Sequence, residues 1–222
     1  MSHKALETYL TPLKKIFAQD GVSEISINSP EEAWVEKKGE MIHIKLPEYT
    51  FEHLKGLSRL VAQSTDQRLS EEEPLLSATL PNGFRIQIVF PPACESGKVV
   101  ISIRKGSVLK FNLDSYAEMG AFDMTSTDEV NDPNEIKLQQ YLANNDIKKF
   151  IESAIKWKKN IIISGGTSTG KTTFTNACLQ AIPRDERLIT VEDAREIVLD
   201  HQPNRVHLLA SKGGQGLSLI HI

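Results

Sequence analysis

Gly165-Gly166-Thr167-Ser168-Thr169-Gly170-Lys171-Thr172 matches the pattern G-x-x-x-x-G-K-[ST] in full. Glycines in such a loop let the backbone turn tightly enough for successive amide hydrogens to converge on phosphate oxygens, and a following helix aims its N-terminus at the same charge. Lys171 would then reach the β- and γ-phosphates as a point charge, and the Thr172 hydroxyl would help hold a magnesium ion. The expected nucleotide contacts are these eight residues together with Thr173, and the expected cofactors are ATP and Mg2+. Further on, Leu188-Ile189-Thr190-Val191-Glu192-Asp193 ends in two carboxylates. They fall at the C-terminal end of an expected strand, where open α/β sheets place ligands. On the residues alone this is the magnesium-binding acid strand of a nucleotide hydrolase, with an acidic strand-to-loop turn as the plainer alternative.

That chemistry needs a scaffold, and the flanking pattern predicts one. Asn160-Ile161-Ile162-Ile163-Ser164, directly before the loop, has the continuous β-branched run of a parallel strand covered on both faces. From Thr172 to Ile182 the pattern is helical, with Phe174, Ala177, Cys178, Ala181 and Ile182 on one face. Upstream, Ile147, Phe150, Ile151, Ala154 and Ile155 form a helical stripe that closes in Lys156-Trp157-Lys158-Lys159, basic where the helix dipole favours it. A further strand is expected at Arg205 to Leu209.

The first hundred residues alternate like a sheet. Ser23 to Asn28 has period two, and Ala33-Trp34-Val35-Glu36 meets Met41-Ile42-His43-Ile44 across Lys37-Lys38-Gly39-Glu40, a hairpin signal. Phe51, Leu54, Leu57, Leu60 and Val61 place one apolar helix face on that sheet. Strands follow at Phe84 to Phe90 and Val99 to Arg104, while Ser70-Glu71-Glu72-Glu73, halted by Pro74, reads as a loop. Charge divides the chain: net −1 over residues 1–105, −6 over 106–146 and +4 over 147–222. The acidic middle stretch mixes Asp114, Asp123, Asp128, Glu129 and Asp132 with turn formers, as a surface linker does. The expected organisation is an N-terminal α+β domain (1–105), an acidic linker (106–146) and a P-loop domain (147–222).

Composition excludes several classes. With 40% hydrophobic and 25% charged residues in 222, the chain is neither disordered nor fibrous. A net charge of −3 gives no overall positive field for nucleic acid or an anionic membrane. No run of about 18 apolar residues and no leader pattern occurs, so a cytoplasmic location is expected. Cys94 and Cys178 lie far apart with no paired ligands nearby, so both are expected as ordinary buried thiols, and the six histidines show no metal spacing, so each of those is expected at the surface or partly buried in packing.

Asn160 to Thr172, Pro183 to Asp193 and His201-Gln202-Pro203-Asn204-Arg205-Val206 together resemble the VirB-type traffic ATPases of bacterial type IV secretion, also called P-type DNA transfer ATPases. The N-terminal runs Arg85 to Pro92 and Ile101-Ser102-Ile103-Arg104-Lys105 are similar to that family's first domain. The resemblance implies a RecA-like ATPase domain after an α+β domain, with the ATP site between them. It also implies a hexameric ring peripheral to the inner membrane, partnered with secretion-system components, that powers conjugative DNA transfer, secretion or pilus assembly. Direct nucleic-acid contact is left open. It places Glu192 and Asp193 in the family's Asp box, with Glu192 polarising the attacking water and Asp193 a metal contact beside Thr172. It makes Arg104 a catalytic arginine and Arg85 a second nucleotide contact, with a cross-strand ion pair as the plainer role for both. Motors of type II secretion or pilus retraction, and a non-hydrolysing nucleotide-binding ring-assembly module, are the competing readings.

The family's Walker B strand and histidine box are expected after Ser211-Lys212-Gly213-Gly214-Gln215-Gly216 and are not found, so the nucleotide domain reads as incomplete. The final Leu217-Ser218-Leu219-Ile220-His221-Ile222 matches the translation of a transposase adapter used in library preparation, and an early artificial end is expected.

Overall fold

A computed structural model describes residues 2–106, 112–123, 125 and 132–210. The expectations for Ser211 to Gly216 and for the adapter-like tail fall outside them. The described residues form two compact units: residues 2–106, 185–196 and 202–210 make one, and 112–123, 125, 132–184 and 197–201 the other. The second unit thus takes in the described residues of the acidic stretch from 112 on, and the strands after the P-loop group with the N-terminal sheet.

The first unit is built on an antiparallel six-stranded sheet. Its strands are β1 (Val22–Ile27), β2 (Glu32–Lys37), β3 (Glu40–Lys45), β4 (Leu75–Thr79), β5 (Arg85–Val89) and β6 (Val100–Arg104), in the order β3-β2-β1-β6-β5-β4. Alternation sends Ile25, Ile27, Ala33, Val35, Ile86, Ile88, Ile101 and Ile103 to one face, where they are buried. Two helices cover that face: α1 (Ser2–Phe17) and α2 (Phe51–Ser64). Thr50 caps α2 by accepting from the His53 amide, and Leu54, Leu57 and Val61 go inward. The Tyr49 hydroxyl donates to the Tyr9 carbonyl at 2.6 Å, fixing the entry to α2 against α1.

Two of these elements were not expected. In α1, Leu6, Leu10, Leu13 and Phe17 recur at helical spacing and are buried, but Pro12 sits inside the helix and breaks the local signal. Strand β4 starts directly after Pro74 and pairs with β5 from Leu75↔Val89 to Thr79↔Arg85. Ser70 to Glu73 is a loop, with the Ser70 hydroxyl accepting from the amides of Glu72 and Glu73.

The second unit holds α3 (Leu113–Glu118), α4 (Pro133–Ala143), α5 (Ile147–Lys156) and α6 (Lys171–Leu179). Two of its helices lie where a linker was expected. For α4 the cause is legible: Asp132 accepts from the Asn134 amide as N-cap and Pro133 occupies the first turn. Lys159 bonds both Asp132 (3.0 Å) and Glu135 (3.4 Å), tying the segment after α5 to the start of α4.

The buried strand expected at Asn160 to Ser164 is not there. These residues carry no strand, Ile161 is 46% exposed and Ile162 is 93% exposed. A strand exists only as half of a ladder, and among the described residues none pairs with this run. The run enters the P-loop as unpaired chain.

The remaining strands, β7 (Leu188–Glu192) and β8 (Arg205–Leu209), pair in parallel from Leu188↔Arg205 to Glu192↔Leu209. Val206 and Leu208 pack on Cys94, Val89 and Val100, so this ribbon covers part of the large sheet's second face.

Candidate functional site

The loop from Gly165 to Thr172 has the conformation its glycines imply. Gly170 sits at φ +83° and caps α6, and Ser168 also takes the left-handed region at φ +59°. A Cβ on Gly165 would come within 2.7 Å of Thr169 Oγ1. That hydroxyl donates to the Gly166 carbonyl at 2.8 Å, so the loop curls tightly with no space for a side chain at Gly165. Lys171 folds over the same turn, its Nζ donating to Gly166 O at 2.5 Å. The amide of Phe174 bonds Gly170 O at 2.9 Å, so α6 starts directly at the loop's last glycine. A concavity of about 530 Å³ lies against Gly165, Thr169, Gly170, Lys171 and Phe174. Thr167, Ser168 and Thr173 are exposed, and Thr172 is half-buried.

The acidic end of β7 divides in two. Asp193 is exposed, beside Arg195 and across a pocket from Glu71 and Glu72. Glu192 points the other way and is only 8% exposed. Its Oε1 accepts the Thr190 hydroxyl at 2.6 Å and faces His207 Nδ1 at 3.3 Å, while Oε2 accepts the Glu196 amide at 2.8 Å. His207, 2% exposed, also lies 3.0 Å from Thr190 Oγ1. Sequence reasoning missed this histidine. The signal was available in the register: Thr190 and Glu192 share one side of β7, and His207 is the β8 residue paired with Thr190.

Arg85 and Arg104 are brought together. They are directly opposite on β5 and β6, both exposed, and Glu24 is opposite Arg104 on β1. The plainer alternative, a cross-strand ion pair, does not form among the described residues. Glu24 Oε1 instead accepts Arg187 Nη1 at 3.1 Å, Ser102 Oγ at 2.9 Å and Ser26 Oγ at 3.0 Å. Among the described residues neither Arg85 nor Arg104 has an ion-pair partner. Like charges directly opposite destabilise a sheet, so this pair is suited to an anion.

The two cysteines differ: Cys94 is buried, whereas Cys178, expected to be buried, is only half-buried. Burial pushes the Cys94 thiol up to about 11, and burial also raises that of Cys178. No helix among the described residues is long and apolar enough to cross a membrane.

The chain is 38% identical to the type IV secretion system protein VirB11 of Bartonella quintana, over 96% of this chain and 63% of that protein. It is 33% identical to the type IV secretion system protein PtlH of Bordetella pertussis, over 96% of this chain and 62% of that one. The crystal structure of the VirB11 ATPase from the Brucella suis type IV secretion system, in complex with sulphate, superposes with a TM-score of 0.87 at 36% identity, covering 92% of this chain and 63% of that one. The chain therefore spans under two thirds of the length of these relatives. Residues 7–217 match the family described as type II/IV secretion system protein, and it is to that family that the chain belongs.

Proposed function

We propose that this protein binds ATP with magnesium and works as a ring-forming ATPase of type IV secretion, cytoplasmic and peripheral to the inner membrane, with other secretion-system components as partners. The observation that carries the reading is the P-loop: a left-handed Gly170 caps α6, and Lys171 Nζ folds onto Gly166 O. Triphosphate would take the lysine's ammonium from that carbonyl, together with the amide hydrogens of the loop and of the first turn of α6.

Thr172 fits the magnesium contact. Among the described residues no three of His, Cys, Asp and Glu converge as a metal site, which suits an ion held largely by phosphate oxygens and water, with one or two protein ligands. Asp193, exposed at the end of β7, is the proposed second contact. The chemistry a bound magnesium would supply is neutralisation of charge developing on the phosphates. Arg104 and Arg85 would donate to phosphate oxygens, a task for which guanidinium geometry is suited. Glu192 would orient the attacking water, using whichever oxygen is released from its present partners.

The engagement of both Glu192 oxygens favours a second reading, a nucleotide-binding assembly module that does not turn ATP over. Steady-state hydrolysis with sedimentation analysis separates the two. Magnesium-dependent release of phosphate with nucleotide-linked assembly is expected. Binding without turnover would select the second reading, and no binding would contradict both.

A further inference from the structure

Arg187 was assigned no role by its sequence. It precedes β7 and, among the described residues, it is the only cation paired with the one acid in register with Arg104. An acid facing an arginine across two antiparallel strands ordinarily pairs with it. Here Glu24 is about four-fifths buried, as is Arg187, and the three donors that reach its carboxylate all converge on Oε1. The two serines lie on the same face of the sheet and are themselves in register, Ser26↔Ser102. Arg187 arrives from outside the sheet.

We propose that Arg187 is a positioning residue for phosphate binding: by holding the Glu24 carboxylate it keeps Arg104, and with it Arg85, free for a polyphosphate ligand. The inference rests on the reading of these arginines as nucleotide contacts. Without Arg187, the nearest cation in register with Glu24 is Arg104. An ion pair there would neutralise one of the two guanidinium groups and turn it away from the ligand.

Two measurements test this on the 222-residue chain. In calorimetric titrations with ATP and magnesium, Arg187→Gln should weaken binding about fivefold or more, the loss of one charge-assisted contact. Adding Glu24→Gln to it should restore affinity to within about twofold. Glu24→Gln alone leaves no unpaired acid behind and should bind at least as tightly as the parent. A Glu24→Gln variant that binds several-fold more weakly would mean that the carboxylate helps Arg104, and would overturn the inference, as would failure of the double variant to recover.

A thermal double-mutant cycle between Glu24→Gln and Arg104→Ala reads the capture without any nucleotide. The melting shifts should add in the parent and fail to add in the Arg187→Gln background. Additivity in both backgrounds would overturn the inference. If Arg104→Ala left ATP affinity unchanged while this cycle behaved as described, the fault would lie with the nucleotide role of Arg104 and not with Arg187.

Discussion

His207 Nδ1 lies 3.3 Å from Glu192 Oε1, in the interior of the first unit. Beside an ionised Glu192, which can only accept, Nδ1 would carry the hydrogen and share it with the Thr190 hydroxyl 3.0 Å away. The histidine on β8, the Thr190 hydroxyl and the Glu196 amide together hold the acid that ends β7.

Removing that donor should be felt in stability. His207→Ala leaves a buried carboxylate short of one partner, at a cost of about 1–3 kcal/mol. His207→Asn, whose amide can replace Nδ1–H, should recover part of it. Urea denaturation checks this, and equal midpoints for the parent and His207→Ala would show that the contact carries no weight.

The apolar face of α2 and the apolar run before the P-loop should respond oppositely to mutation. Leu57, fully buried on α2, should lose about 2–5 kcal/mol on truncation to alanine. Ile162, 93% exposed, should tolerate serine within about 0.5 kcal/mol. Thermal melts of both variants decide this. A large loss from Ile162→Ser would mean that the run is buried as a strand after all.

The contrast shows where sequence was sufficient. Strands β1, β2, β3, β5 and β6, with α2, were legible because each carries its own period and its partners are in the same sheet. Helix α4 was hidden by acidic composition although Asp132-Pro133 announces its start. Ile161 to Ile163 misled because an apolar run states what it would bury, not whether a partner strand is present. In the candidate site, the P-loop was legible because its function resides in local backbone conformation. His207 and Arg187 were not, because their roles follow from strand register and from contacts far apart in sequence.

Thiol chemistry should separate the two cysteines. The Cys94 value of about 11 lies above that of an unfolded thiol, so near pH 8 burial keeps Cys94 in the thiol form. Raising the pH toward 11 increases the thiolate fraction. A disulfide reagent at pH 8 should label the half-buried Cys178 first and reach Cys94 only on unfolding. Two equally fast thiols in the native protein would contradict the burial of Cys94.

The central claim is that the loop from Gly165 to Thr172 binds nucleotide through Lys171, and calorimetric titration of ATP with magnesium into the chain and its Lys171→Ala variant tests it most directly. Charge-assisted contacts of this kind are worth about 1.5–3 kcal/mol, so affinity should fall at least about tenfold while the melting temperature without nucleotide stays the same. Equal ATP affinity in the two proteins would contradict the account.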